Sequence, residues 1–153
     1  FITYQSLFMA VQFSKGPGSS GEAEFAKKFS MPEEKFQLHK MGLGFVGILG
    51  DALPREEHEK AARRALEFFK SERASGTWNT FILDEVNVAV SLGLLKIEEV
   101  LEAIKDFPED HLLVLTGRSA PEELLRAADL VTEMKEVKHP FQEGKLAKWS
   151  VEF

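Results

Sequence analysis

The sequence predicts an α/β fold: a mainly parallel sheet with helices on both faces. Two observations carry that expectation. Short, nearly continuous apolar runs of the kind found in strands buried on both faces recur along the chain, at Leu7–Phe13, Thr80–Leu83 and His111–Leu115. Segments with helical spacing alternate with the later runs, and strand–helix–strand order with doubly buried strands means parallel pairing. At 153 residues and 44% hydrophobic content, the chain is sized for one domain with one core.

LFMAVQF at 7–13 is the first expected strand, closed by the turn-forming cluster SKGPGSSGE. Lys35–Lys40 is a second strand with weaker alternation. From Pro54 to Ala74 the spacing turns helical, with Ala61, Ala65 and Phe69 on one stripe and Ala62 and Leu66 beside it. Asp51 is placed to cap that helix, Glu56 and Glu57 suit its first turn, and Gly76 follows its end. Thr80–Leu83 is the next strand, and Ile97–Phe107 a helix turning Val100, Leu101 and Ile104 inward. His111–Leu115 is a further strand that leads into Thr116-Gly117-Arg118. Ser119 to Glu122 has capping-box spacing with a proline in the first turn, so a helix is expected over about 120–128. Asp129–Lys138 and Trp149–Phe153 read as later strands.

Several function classes drop out. A formal net charge of −6 argues against nucleic-acid binding through a broad basic face. No cysteine is present, which excludes disulfides, zinc–thiolate sites and iron–sulfur clusters and fits a reducing compartment. No apolar stretch approaches the roughly 18 residues needed to span a bilayer, so neither membrane nor nucleic acid is an expected partner and the expected location is cytoplasmic. His39, His58, His111 and His139 show no metal-ligand spacing, and neither H-E-x-x-H nor G-x-S-x-G occurs. Trp78 and Trp149 read as packing residues, Lys15 as a solvated loop lysine, and PREEHEKAARR as a solvent-facing helix surface.

Two strand ends carry polar chemistry instead. FILDE ends in Asp84 and Glu85, and LLVLTGR ends in Thr116, Gly117 and Arg118. In a parallel sheet both project onto the carboxyl edge, where ligands bind. Adjacent carboxylates suit Mg²⁺, which takes one or two carboxylates plus substrate phosphates. Arg118, just before a helix start, is placed for a bidentate phosphate contact. The structural alternatives are that Asp84 and Glu85 cap the following helix and that Arg118 is a surface residue. An apolar strand followed by Asp-Glu resembles the Walker B element of P-loop proteins, but the Walker A pattern G-x-x-x-x-G-K-[ST] is absent, and KGPGSSGE has its lysine ahead of the glycines.

Taken as a set, VQFSKG (11–16), GE (21–22), GF (44–45), LDEVNVAVSLGLL (83–95), LTGRSAPEELLRAADLVTEMKEVKHPF (115–141) and the closing VEF resemble the P-loop corrinoid adenosyltransferases. The resemblance implies a RecA-like P-loop NTPase fold, usually a homodimer. It implies transfer of the 5′-deoxyadenosyl group of ATP to the cobalt of a reduced corrinoid, cob(I)alamin or a precursor, with release of triphosphate, in cobalamin biosynthesis or salvage. Implied with it are Mg²⁺ or Mn²⁺ and a flavoprotein reductase as partner. Glu85 with Asp84 matches the family's metal-side acidic element, and Thr116, Gly117 and Arg118 match its nucleotide-side TGR. Gly44 and Phe45 match the start of a corrinoid-side G-F-T-W segment. Here that segment reads GFVG, with Gly47 at the tryptophan position.

Family members place a strand, a Walker A loop and a helix ahead of the strand matching LFMAVQF, and a strand–helix–strand unit takes roughly 30 residues. Only FITYQS stands there. The expectation is a single P-loop-type nucleotide-binding domain over 1–153, with the Walker A segment missing between about residues 3 and 7. The alternative is a non-catalytic nucleotide- or corrinoid-binding paralogue with a degenerate P-loop.

Overall fold

The computed structural model describes residues 7–14, 24, 35–44, 46–47 and 51–144. The expected Walker A gap, Lys15, Phe45 and the expected strand at 149–153 lie outside them. Strand β1 (Phe8–Gln12) buries Met9 and Val11 completely and leaves Ala10 and Gln12 almost as inaccessible, so both of its faces are covered. It pairs in parallel with β2 (Phe36–Lys40) on one side and with β3 (Thr80–Asp84) on the other. Strand β4 (Leu112–Leu115) adds to β3, again in parallel, giving the order β2-β1-β3-β4. An all-parallel four-stranded sheet flanked by helices results.

Helix α1 (Arg55–Ser75) presents Ala61, Ala62, Ala65, Leu66 and Phe69 to the core, and small residues on that stripe let it lie close to β1. It ends at Gly76, which takes the left-handed conformation (φ 68°) and donates its N–H to the carbonyl of Arg73. Its N-cap is Pro54, which makes no side-chain cap bond, so the cap expected at Asp51 is not made and that carboxylate is used elsewhere. After β3 a short helix α2 (Val86–Ser91), not resolved by the spacing argument, buries Val86, Asn87 and Ala89.

Helix α3 (Ile97–Ile104) starts with Glu99 accepting the Lys96 N–H at 2.8 Å and stops three residues short of the expected Phe107. The reason is Arg73. Its guanidinium donates to the carbonyls of Ala103, Lys105 and Asp106 at 2.6–2.8 Å, taking the Ala103 acceptor that the Phe107 N–H would have used in a continued helix and satisfying two carbonyls beyond it. It also lies 5.1 Å from the centre of Phe107. Phe107 is thereby freed to pack edge-on against Phe81, which meets Phe69 in the same way.

Helix α4 (Glu122–Ala127) begins at the N-cap Pro121. Ser119 does not serve as the expected cap, because at φ 57° it sits in the left-handed region rather than the extended one a cap requires. Two further expectations fail, one on burial and one on pairing. Strand β4 is not buried on both faces, since Leu112 is 56% exposed and Val114 36%. Residues 129–138 form no strand, and Leu130, Met134 and Val137 are open to solvent. Alternating apolar residues make a strand only where a neighbouring backbone supplies the hydrogen bonds. Among the described residues no helix is long and apolar enough to cross a membrane.

Candidate functional site

The strand order places the site. From β1 the chain goes outward to β2 and then returns past β1 to β3, so the direction of winding reverses between β1 and β3. Beyond the carboxyl ends of two such strands, the loops part and leave a crevice for a ligand. The residues at those ends are Gln12 and Asp84, which face each other in the register.

Asp84 is the hub of this edge. Its Oδ2 accepts a hydrogen bond from Gln12 Nε2 at 3.0 Å, and its Oδ1 accepts one from the Thr116 hydroxyl at 2.8 Å. Thr116 Oγ1 in turn accepts the backbone N–H of Glu85 at 3.0 Å. Three strand ends are thus tied by one carboxylate and one hydroxyl. Glu85 carries the unusual conformation φ 64°, ψ 19° at the junction of β3 and α2, where it is the N-cap residue but makes no side-chain cap bond. A left-handed residue other than glycine costs about 1–2 kcal/mol, and the Thr116 hydroxyl offsets part of that. The capping reading of Asp84 and Glu85 is therefore not what the geometry shows.

Gly117 is required by close approach. With φ 121°, a Cβ there would stand 3.1 Å from both Asn87 Cβ and the Val88 nitrogen, and 3.3 Å from Glu85 Cα. That contact lets the Thr116 carbonyl accept the Asn87 N–H at 3.2 Å and the Gly117 carbonyl accept Asn87 Nδ2 at 3.3 Å. Arg118 follows, exposed and, among the described residues, without an ion-pair partner. The structure therefore brings Asp84, Glu85, Thr116 and Gly117 into one hydrogen-bonded and packed unit, with Arg118 on the solvent side of it.

Two residues of this unit were not anticipated. Gln12 and Asn87 are both more than nine-tenths buried, and each keeps one side-chain oxygen, Gln12 Oε1 and Asn87 Oδ1, without a partner among the described residues. The available signal was a polar residue inside an apolar run, in AVQF and in EVNVAV. An unsatisfied buried amide oxygen is unusual, and two beside one carboxylate hub mark an edge suited to donors brought by a ligand or by ordered water.

The donor set fits a hard cation. A carboxylate oxygen that accepts one hydrogen bond retains a second lone pair, so Asp84 can still contribute beside Glu85 and the Thr116 hydroxyl. Among the described residues no three His, Cys, Asp or Glu side chains converge as a metal cluster. The remaining ligands would come from phosphate oxygens and water, the usual way for Mg²⁺.

Of the two residues expected on the corrinoid side, Gly44 is described and lies on the adjoining surface. Gly44, half-buried with φ 106°, donates its N–H to the Ser14 carbonyl at 2.9 Å. It helps line a small cavity of about 20 Å³, together with Phe13, Val46, His58, Val88 and Leu92. Phe13 N–H donates to the Asp84 carbonyl at 3.0 Å, so this cavity and the carboxylate hub share a wall.

The family model for ATP:corrinoid adenosyltransferase BtuR/CobO/CobP matches residues 3–153. A corrinoid adenosyltransferase from Sinorhizobium sp is 38% identical over 146 residues, 94% of this chain and 65% of that protein. Another, from Pseudomonas aeruginosa, is 38% identical over 143 residues, covering 94% and 68%. A third, from Escherichia coli K12, is 30% identical over 143 residues, covering 94% and 69%. The chain spans about two thirds of the length of these curated relatives.

Proposed function

The chain belongs to the ATP:corrinoid adenosyltransferase family, and from that premise we propose that it transfers the 5′-deoxyadenosyl group of ATP to the cobalt of a reduced corrinoid, releasing triphosphate. The observation that carries the reading is the unit of Asp84, Thr116 and Glu85 at the point where the winding of the sheet reverses. In this reading the domain is of the RecA-like P-loop type over residues 1–153, acting as a cytoplasmic homodimer served by a reductase.

The chemistry is a substitution at carbon. The electron pair of Co(I) forms the Co–C5′ bond, and the C5′–O bond breaks with its pair leaving on triphosphate. No proton has to move, so the protein's task is alignment and neutralisation of the leaving charge. Asp84 and Glu85 would hold the metal, which would supply positive charge to the triphosphate when bound. Thr116 keeps Asp84 oriented and fixes the Glu85 backbone. Arg118, exposed and without a carboxylate partner among the described residues, takes phosphate oxygens through its planar fork. Gly44 and Phe45 supply the corrinoid side.

The test is to mix the full chain with MgATP and chemically reduced cob(I)alamin and follow the absorption spectrum. Conversion to the light-sensitive adenosyl form, with one triphosphate released per corrinoid, is expected. Binding of either substrate without conversion would overturn the transferase reading in favour of a binding protein.

A further inference from the structure

His58 is an imidazole in a wall that is otherwise mostly apolar. It is 3% exposed, on the inner face of α1, and lines the cavity between the end of β1 and α2. Its Nε2 lies 3.1 and 3.2 Å from the two oxygens of Asp51. Asp51 gathers two more donors from its own loop, the N–H of Gly47 at 2.8 Å and of Leu53 at 3.0 Å. The Gly47 N–H foremost, then that of Leu53, hold the Asp51 carboxyl below the usual carboxylate range. An ionised carboxylate only accepts, so His58 Nε2 is the donor.

These bonds do not serve the helix, whose first N–H groups Asp51 does not touch. They serve the loop. The described residues on either side of position 45 are both anchored: Gly44 to the Ser14 carbonyl, and Gly47 to the Asp51 carboxylate and through it to His58. A buried polar pair is often no more stabilising than apolar residues of the same volume, whereas what it supplies here is direction.

We propose that Asp51 and His58 are a positioning pair for corrinoid binding, holding Gly47 through its backbone N–H so that Gly44 and Val46 stay beside the cavity wall formed by Phe13, Val88 and Leu92. The inference rests on the corrinoid-side reading of that segment given above. Position 47 is a glycine, with no side chain of its own to wedge the segment in place, and the pair supplies the missing constraint through the Gly47 backbone.

The experiment measures affinity for cob(II)alamin and for ATP separately, with the full chain as wild type, His58→Leu and His58→Gln, and thermal unfolding as a control on folding. His58→Leu keeps apolar volume and removes the donor. Its corrinoid affinity should fall about tenfold or more, the scale of a lost charge-assisted bond, with ATP affinity unchanged within about twofold. The amide nitrogen of His58→Gln reaches the place of Nε2 and should restore most of the loss. Unchanged corrinoid affinity in His58→Leu, or equal loss of both affinities, overturns the proposal. Should that variant fail to fold, Asp51→Asn answers in its place: selective weakening of corrinoid binding supports the pair, and unaltered binding overturns it. A wild-type chain that binds no cob(II)alamin overturns the corrinoid reading itself, an outcome distinct from a wild type and His58→Leu that bind equally well.

Discussion

Thr116→Val replaces a hydroxyl by a methyl of nearly the same size, and the structure says what is lost. Two hydrogen bonds go: the 2.8 Å bond to Asp84 Oδ1 and the 3.0 Å bond from the Glu85 N–H. A bond to an ionised group contributes about 1.5–3 kcal/mol and a neutral one about 0.5–1.5 kcal/mol. Both groups are half-buried, so water replaces part of each, and a net loss of ~2 kcal/mol is expected. With a urea slope near 2 kcal/mol/M, the unfolding midpoint should drop by about 1 M. Thr116→Ser keeps the hydroxyl and should unfold within about 0.3 M of wild type. Turnover should fall further than stability alone explains, because the left-handed Glu85 loses the acceptor that holds its backbone. If Thr116→Val and Thr116→Ser unfold together and turn over alike, the strand-end network is not what organises this edge.

The other predictions follow from the same geometry. Glu85→Gln should cut turnover on the order of 100-fold, the scale of a weakened metal site, while the unfolding midpoint barely moves; full activity would remove Glu85 from the metal. Arg118→Ala should raise the ATP dissociation constant roughly tenfold and leave that for corrinoid alone, and the reverse ranking would take Arg118 out of the nucleotide site. Gly117→Ala adds a Cβ at 3.1 Å from the first turn of α2 in a conformation L-residues avoid, so a loss of about 2–3 kcal/mol in urea unfolding is expected, and a neutral result would refute the close approach. Asp51 titrates below the ordinary carboxylate range when folded. Its contribution is therefore complete above about pH 4 and is lost as pH falls through the lower folded value. The midpoint gap between wild type and Asp51→Asn should shrink from pH 5 to pH 3; a constant gap would contradict it.

Much of the fold was legible because it depends on local pattern. The apolar run of β1, the alanine stripe of α1 and its closing Gly76 each announce themselves within a few residues. The Asp84 and Thr116 ends were legible for the same reason, since a buried-type strand that stops at a polar cluster has to stop at a sheet edge. What was hidden depends on partners far along the chain. Gln12 belongs to the hub only because Asp84, 72 residues later, lies beside it. Helix α3 ends early because Arg73 reaches it from α1, and nothing in IEEVLEAIKDF records that. The alternation of VTEMKEV reads as a strand, yet pairing is a property of two segments and the pattern describes one. Asp51 looked like a cap by its distance from α1, while its geometry turns it to Gly47 and His58.

The carboxylate pair of Asp84 and Glu85 as the seat of a metal–triphosphate is tested most directly by Mn²⁺, whose free-ion electron paramagnetic resonance signal disappears on binding. Measured against a protein-free blank of the same ATP and Mn²⁺, the wild-type chain should take up Mn²⁺ beyond what ATP alone binds, and Asp84→Asn and Glu85→Gln should each weaken that added uptake at least about tenfold. Equal Mn²⁺ uptake by wild type and both variants would contradict the account.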